Sequence, residues 1–192
     1  ACAYRAYFPL FCITMDTTTL FPSLSYAVNI CAGIMLVSTL LVLTQKGLQA
    51  CINLYIMHSF LLGLAMGIVA FGMGEPHLYI GVALTMLLKV LLIPGMLLWM
   101  VHEIRVNREV QFYLNTSSSL LVAGALTVFS FYLTNRVFAL SALVSETALT
   151  MSLSMMLIGF FIMISRTQAV TQMLGFLFME NSLFLLATVT TF

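Results

Sequence analysis

Six apolar runs, each long enough to cross a bilayer, leave this chain few ways to fold. A spanning helix needs roughly 20 consecutive, mostly apolar residues. The runs Leu24–Leu43, Leu48–Met73, His77–His102, Tyr113–Leu133, Phe138–Ile164 and Gln168–Phe192 all reach that length. Short polar stretches separate them: Thr44-Gln45-Lys46-Gly47, Gly74-Glu75-Pro76, Glu103-Ile104-Arg105-Val106-Asn107-Arg108-Glu109, Thr134-Asn135-Arg136 and Ser165-Arg166-Thr167. Inside hydrocarbon each backbone N–H and C=O must find its partner within the protein, which selects helices. The expected fold is therefore an all-α membrane protein with six transmembrane helices in this chain.

Composition excludes the competing classes. Hydrophobic residues make up 62% of the 192, and charged residues only 7%. A soluble domain carries about 25% charged residues. With a net charge of +1 there is no basic stripe to neutralise phosphates, so nucleic acid is not an expected partner. The four cysteines, Cys2, Cys12, Cys31 and Cys51, show no CxxC or His-flanked spacing. They read as small apolar residues rather than as ligands of zinc, haem or an iron–sulfur cluster.

Residues 1–23 read as a leader or interfacial segment. The first fourteen are apolar and aromatic but too short to span, and Pro9 interrupts them. Either the biological start is Met15, or this stretch lies along the membrane interface. Residues 24–102 form a first three-helix unit, 103–112 a polar cytoplasmic loop, 113–133 a linking helix and 138–192 a second, incomplete unit. The turns after the first, third and fifth helices carry Lys46, Arg105, Arg108 and Arg166, against Arg5 and Arg136 on the other side. Basic residues collect on the cytoplasmic side, so the N-terminus is expected outside.

The informative residues are the ionisable ones inside the runs. An ionised group at the centre of a membrane helix costs about 2.5–3.5 kcal/mol on insertion scales. His58 lies near the middle of the second run, Lys89 at the centre of the third and Glu180 at the centre of the sixth. Glu146 lies about two turns into the fifth, nearer the outer surface. Lys89 is too far from either end to snorkel. Two readings are open. The groups pair with one another or with a partner and only fix helix packing, or they form a proton or cation relay. Pro94 follows Lys89 by five residues and removes a backbone donor, leaving the Val90 carbonyl without its α-helical partner. It reads either as an ordinary kink or as a helix break that carries a mobile charge.

Setting residue n against n+122 places the turn before the second run over the turn before the sixth, and His58 over Glu180. Identities are few, but both helices then carry an ionisable residue at the same depth. A duplicated three-helix unit would have its seventh helix after Phe192.

Two motifs carry a resemblance. Gly175-Phe176-Leu177-Phe178-Met179-Glu180-Asn181, following the basic turn Ser165-Arg166-Thr167, closely resembles the Gly-x-x-x-Met-Glu-Asn helix of the hydrogenase-4 component E family. Leu88-Lys89-Val90-Leu91-Leu92-Ile93-Pro94 is similar to that family's Lys-Val-Leu-Leu-x-Pro helix. The motifs stand in the family's order, and the resemblance covers roughly residues 28–192. The family usually continues into a further C-terminal helix, and residues 1–14 have no counterpart in it. It is in turn similar to the K-type subunit of respiratory complex I and to the C subunit of multisubunit cation/proton antiporters. Against the complex I pattern Gly-Leu-Glu-Leu-Met-Leu-Asn, Gly175 and Asn181 match. The acid stands at Glu180 rather than at position 177, which is Leu. A three-residue shift keeps the group on one helix face.

The resemblance implies a non-catalytic membrane subunit of a group 4 [NiFe]-hydrogenase or formate-hydrogenlyase-type complex in a bacterial or archaeal inner membrane. It would sit between antiporter-like and quinone-site-like subunits, below a peripheral hydrogenase arm. The [NiFe] centre and the iron–sulfur clusters would belong to other subunits, with no cofactor in this chain. Glu180, Lys89, His58 and Glu146 would serve proton or sodium movement. The alternatives are a subunit of a cation/proton antiporter with no redox partner, or a structural spacer. A freestanding transporter fits least, since no substrate-sized polar constellation is visible.

Overall fold

A computed structural model describes residues 17–73, 76–103, 115–137 and 146–191. The elements in chain order are α1 (Thr17–Thr44), α2 (Leu48–Met73), α3 (Pro76–Thr85), a π-helical segment (Met86–Leu92), α4 (Ile93–Glu103), α5 (Thr116–Val137), α6 (Glu146–Ser165) and α7 (Ala169–Thr191). The third run is one continuous rod of α3, the π segment and α4. Among the described residues, six helices are long and apolar enough to cross a membrane: Leu24–Thr44, Leu48–Gly72, Tyr79–Val101, Thr116–Arg136, Thr147–Ser165 and Ala169–Thr190. The chain is an all-α, multi-pass membrane protein.

The structure moves several expected boundaries. Residues 17–23, read as part of a leader, continue α1. Residues 1–16 lie outside the described residues, as do 104–114, which include Arg105, Arg108 and Glu109. Thr134-Asn135-Arg136 is not a turn but the last turn of α5. Thr134 returns its hydroxyl to the Ser130 carbonyl at 3.0 Å, and Arg136 lies 5.5 Å from the Tyr132 ring. A cation in a helix's last turn also suits the helix dipole.

Two hairpins, α1–α2 and α6–α7, pack side by side through α1 against α6 and α2 against α7. The third rod lies against α2, and α5 lies against α6 and α1. These two outer helices are the least buried of the six. The four-helix centre is layered. One apolar cluster, nearer the Lys46 and Arg166 turns, joins Val42, Cys51, Tyr55, Ile158, Leu174 and Phe178. A second, towards the other face, joins Cys31, Met35, Leu62, Ala65, Leu149 and Leu185. Between them lies a buried polar layer: Ser38 and Thr39 of α1, His58 and Ser59 of α2, Asn181 and Ser182 of α7. Ser38 and Thr39 return their hydroxyls to the Met35 carbonyl at 2.7 and 2.9 Å, and Ser182 to Phe178 at 2.8 Å. Such back-bonding keeps a hydroxyl satisfied where no water is at hand.

Glycine sets the distance between α6 and α7. A Cβ on Gly175 would lie 2.7 Å from the Met163 backbone nitrogen, and one on Gly159 would lie 2.8 Å from that of Met179. Both obstacles are main chain and cannot rotate away. Small residues permit this close approach where lipid provides no hydrophobic drive between helices. Gly175→Ala should therefore push α7 off α6 and cost about 1–3 kcal/mol. Gly124→Ala, at a site with nothing within 4 Å, should be neutral or stabilising. Thermal unfolding of the two variants in the same detergent measures the difference.

Candidate functional site

Lys89 sits in the middle of the π segment and is 6% exposed. The winding explains how it faces inward. Among the described side chains of the rod, the buried ones are Thr85, Lys89, Pro94 and Leu97. The five-residue step from Lys89 to Pro94 holds the extra residue that π winding accommodates. The Ile93 N–H accordingly bonds the Leu88 carbonyl, five residues back. The helix does not break at Pro94, which stands second in α4, where a missing N–H and a preset φ are tolerated. The expected gap at the Val90 carbonyl assumed α winding. In the π register the donor missing at Pro94 is the one that Lys89's own carbonyl would take.

An ammonium only donates, and the polar and aromatic contacts of Lys89 lie on α7. Its Nζ lies 3.1 Å from Glu180 Oε1 and donates to Asn181 Oδ1 at 3.0 Å. It also stands 4.0 Å from the Phe184 ring centroid, a cation–π distance. Positions 180, 181 and 184 project to one side of α7, so a single helix face meets the charge. The pair is asymmetric: the Lys89 side chain is 8% exposed and that of Glu180 is 33% exposed. One carboxylate edge therefore opens onto the outer surface of the chain at mid-membrane depth.

Asn181 is fully buried and joins Lys89 to α2. Its Nδ2 donates to Ser59 Oγ at 2.9 Å and lies 3.3 Å from His58 Nδ1. The His58 ring meets Phe178 edge to face at 4.8 Å, and Tyr55 meets the same ring at 5.7 Å. Tyr55 and Phe178 belong to the apolar cluster that adjoins the polar layer. Among the described residues, His58 Nε2 and the Tyr55 hydroxyl are buried without a hydrogen-bond partner of good geometry.

Three of the four expected site residues thus gather at one level, with Lys89 and Glu180 in direct contact and His58 reached through Asn181. The fourth does not join them. Glu146 is the first described residue of α6, and residues 138–145, over which the fifth run was expected to begin, lie outside the described residues. The Glu146 side chain lies outside the described ones. The level of Gly159 and Met179 is thirteen residues further along α6, about 20 Å at helical rise. Ser59 and Asn181, which bond, are 122 residues apart, so this one pair of positions equated by the n+122 alignment is in contact across α2 and α7.

Sequence reasoning gave Asn181, Ser59 and Phe184 no role. Their signal was the clustering of Glu180-Asn181-Ser182 and His58-Ser59 in otherwise apolar helices. Arg166, expected as a turn charge that sets topology, is buried. It is 1% exposed, and its Nη2 donates to the Val42 carbonyl at 2.8 Å. That carbonyl is among the last four of α1, where the helical ladder runs out, and it also accepts the Gln45 N–H at 3.3 Å. Gln172 donates to the Arg166 carbonyl at 2.9 Å, holding the turn. Burial lowers the Arg166 pKa from its ordinary value, and the nearby Cys51 thiol works against that shift.

No cluster of three or more His, Cys, Asp or Glu able to hold a metal occurs among the described residues. Cys31 and Cys51 are free thiols in separate apolar clusters. The site's resources are thus one ion pair and an amide network.

Removing one member of a buried pair strands the other. Lys89→Met and Glu180→Gln should each destabilise the chain, and the double variant should lose less than their sum. Contacting charges couple by about 0.5–3 kcal/mol. Additive losses in a double-mutant unfolding cycle would mean that the contact contributes nothing.

The chain is similar to the uncharacterized protein Rv0085 of Mycobacterium tuberculosis (strain ATCC 25618 / H37Rv). The two are 29% identical over 164 residues, which span 83% of this chain and 73% of that protein. No family profile matches the chain. No solved structure matches it.

Proposed function

We propose that this chain is a membrane-arm subunit of an energy-converting [NiFe]-hydrogenase or formate-hydrogenlyase-type complex. In this reading it serves proton or sodium movement coupled to electron transfer in other subunits. The observation that carries the reading is the Lys89–Glu180 pair at mid-membrane depth, with one carboxylate edge open. The two stretches that resemble hydrogenase-4 component E lie far apart in sequence. Their polar residues, Lys89 from one and Glu180 with Asn181 from the other, form a single cluster. Intramembrane charges that only brace helices have no need of an open edge, whereas a group that exchanges a proton does. The open edge is also where a neighbouring antiporter-like or quinone-site-like subunit would reach Glu180. The redox centres belong to partner subunits in this reading. The complex lies in a bacterial or archaeal inner membrane, with the N-terminus of this chain outside.

A second reading is favoured by the surroundings of Lys89. Its contacts with Glu180, Asn181 and Phe184 are all with groups on α7, as a structural spacer requires. A cation/proton antiporter subunit would use the same pair without a redox partner. One experiment separates these readings. Glu180→Gln is introduced into the native complex, which is then purified and reconstituted into vesicles. The expected outcome is an assembled complex whose electron transfer persists while coupled proton or sodium uptake is lost. Full uptake by the assembled variant supports the spacer. Ion exchange in a complex with no hydrogenase subunits identifies the antiporter.

A further inference from the structure

We infer that Asn181 is a positioning residue that fixes His58 as a neutral imidazole protonated on Nε2 and keeps it out of proton exchange with the Lys89–Glu180 pair. The Lys89 ammonium only donates, so the amide atom 3.0 Å from its Nζ is the acceptor, Oδ1. The opposite end of the amide is then Nδ2, which only donates. Its two hydrogens meet Ser59 Oγ at 2.9 Å and His58 Nδ1 at 3.3 Å. An amide donor can face only an unprotonated ring nitrogen, so Nδ1 carries the lone pair. A neutral ring with its lone pair on Nδ1 carries its proton on Nε2. An imidazolium would set N–H against N–H in a fully buried site. Among the described residues Nε2 has no hydrogen-bond partner, and the ring stands edge to face with Phe178 at 4.8 Å. An aromatic ring can serve as a weak acceptor for an N–H.

The amide separates Lys89 from His58 chemically as well as spatially. A proton passing through it would have to protonate Oδ1 and leave from Nδ2, forming an imidic acid. Carboxylates, imidazoles and water exchange protons without such an intermediate. His58 and Ser59 instead orient the amide, and the amide presents its oxygen to Lys89. For the relay proposed above, Lys89 and Glu180 are then the groups that move the proton, with His58 a fixed acceptor. That consequence rests on the relay reading, whereas the tautomer does not.

The test is solid-state ¹⁵N NMR of the full chain, labelled at histidine and reconstituted in phosphatidylcholine/phosphatidylglycerol vesicles. His77→Gln and His102→Gln leave one imidazole to observe. The expected spectrum at neutral pH has His58 Nδ1 at the unprotonated shift and Nε2 at the protonated one. Asn181→Asp replaces the donor with a carboxylate, and Nδ1 should then gain a proton. A wild-type Nδ1 that is protonated, in either the neutral or the cationic ring, overturns the inference. So does an Nδ1 signal unchanged in Asn181→Asp. If that variant does not fold, the wild-type spectrum decides alone. The measurement needs no ion gradient. A Glu180→Gln complex that still pumps would end the relay without touching the tautomer, and the reverse also holds.

Discussion

A lysine ammonium at the centre of a bilayer has to find acceptors inside the protein, and much of this structure follows from how Lys89 finds them. The helix that carries it is an outer one, and its acceptors lie on α7, in the other hairpin. The interaction therefore spans both halves of the chain. It requires Lys89 to point inward, which π winding ahead of Pro94 arranges. It also requires α7 to sit close to α6 and level with α2. The backbone contact at Gly159 and Gly175 fixes the first of these. The Asn181 bridge to Ser59 fixes the second.

The polar layer answers a problem particular to apolar helices. Leucine-rich helices in lipid gain little from sliding past one another by a turn, because the tails outside are as apolar as the core inside. A layer of paired polar groups between two apolar clusters removes that freedom, since a one-turn slip would strand Asn181 and Lys89 without partners. Arg166 does a similar task at the end of the bundle. There it ties the turn of one hairpin to the last carbonyls of α1 in the other. Neither device resembles a soluble core, where burial alone supplies most of the stability.

Much of the architecture was legible in the sequence because the bilayer imposes a single strong rule on length and polarity. The six spans needed no information beyond runs of about 20 apolar residues. Their ends were less legible, as the helical Thr134-Asn135-Arg136 illustrates: polar residues mark the edge of the hydrocarbon, not the end of the hydrogen-bond ladder. The importance of Lys89, Glu180 and His58 followed from their rarity alone. Their arrangement did not, because Lys89 and Glu180 are 91 positions apart and nothing in either helix specifies the other's rotation.

Charge scarcity, read along the chain, already defined an all-helical membrane protein with a handful of residues too expensive to bury alone. Folding decided which of them share a site. It joined Lys89 to Glu180, placed an amide between Lys89 and His58, and turned Arg166 from a loop charge into a buried cap. These outcomes depend on helix rotation, on the extra residue of a π turn and on backbone contact at two glycines. Each is set by packing between distant segments, a property that no local pattern of residues encodes.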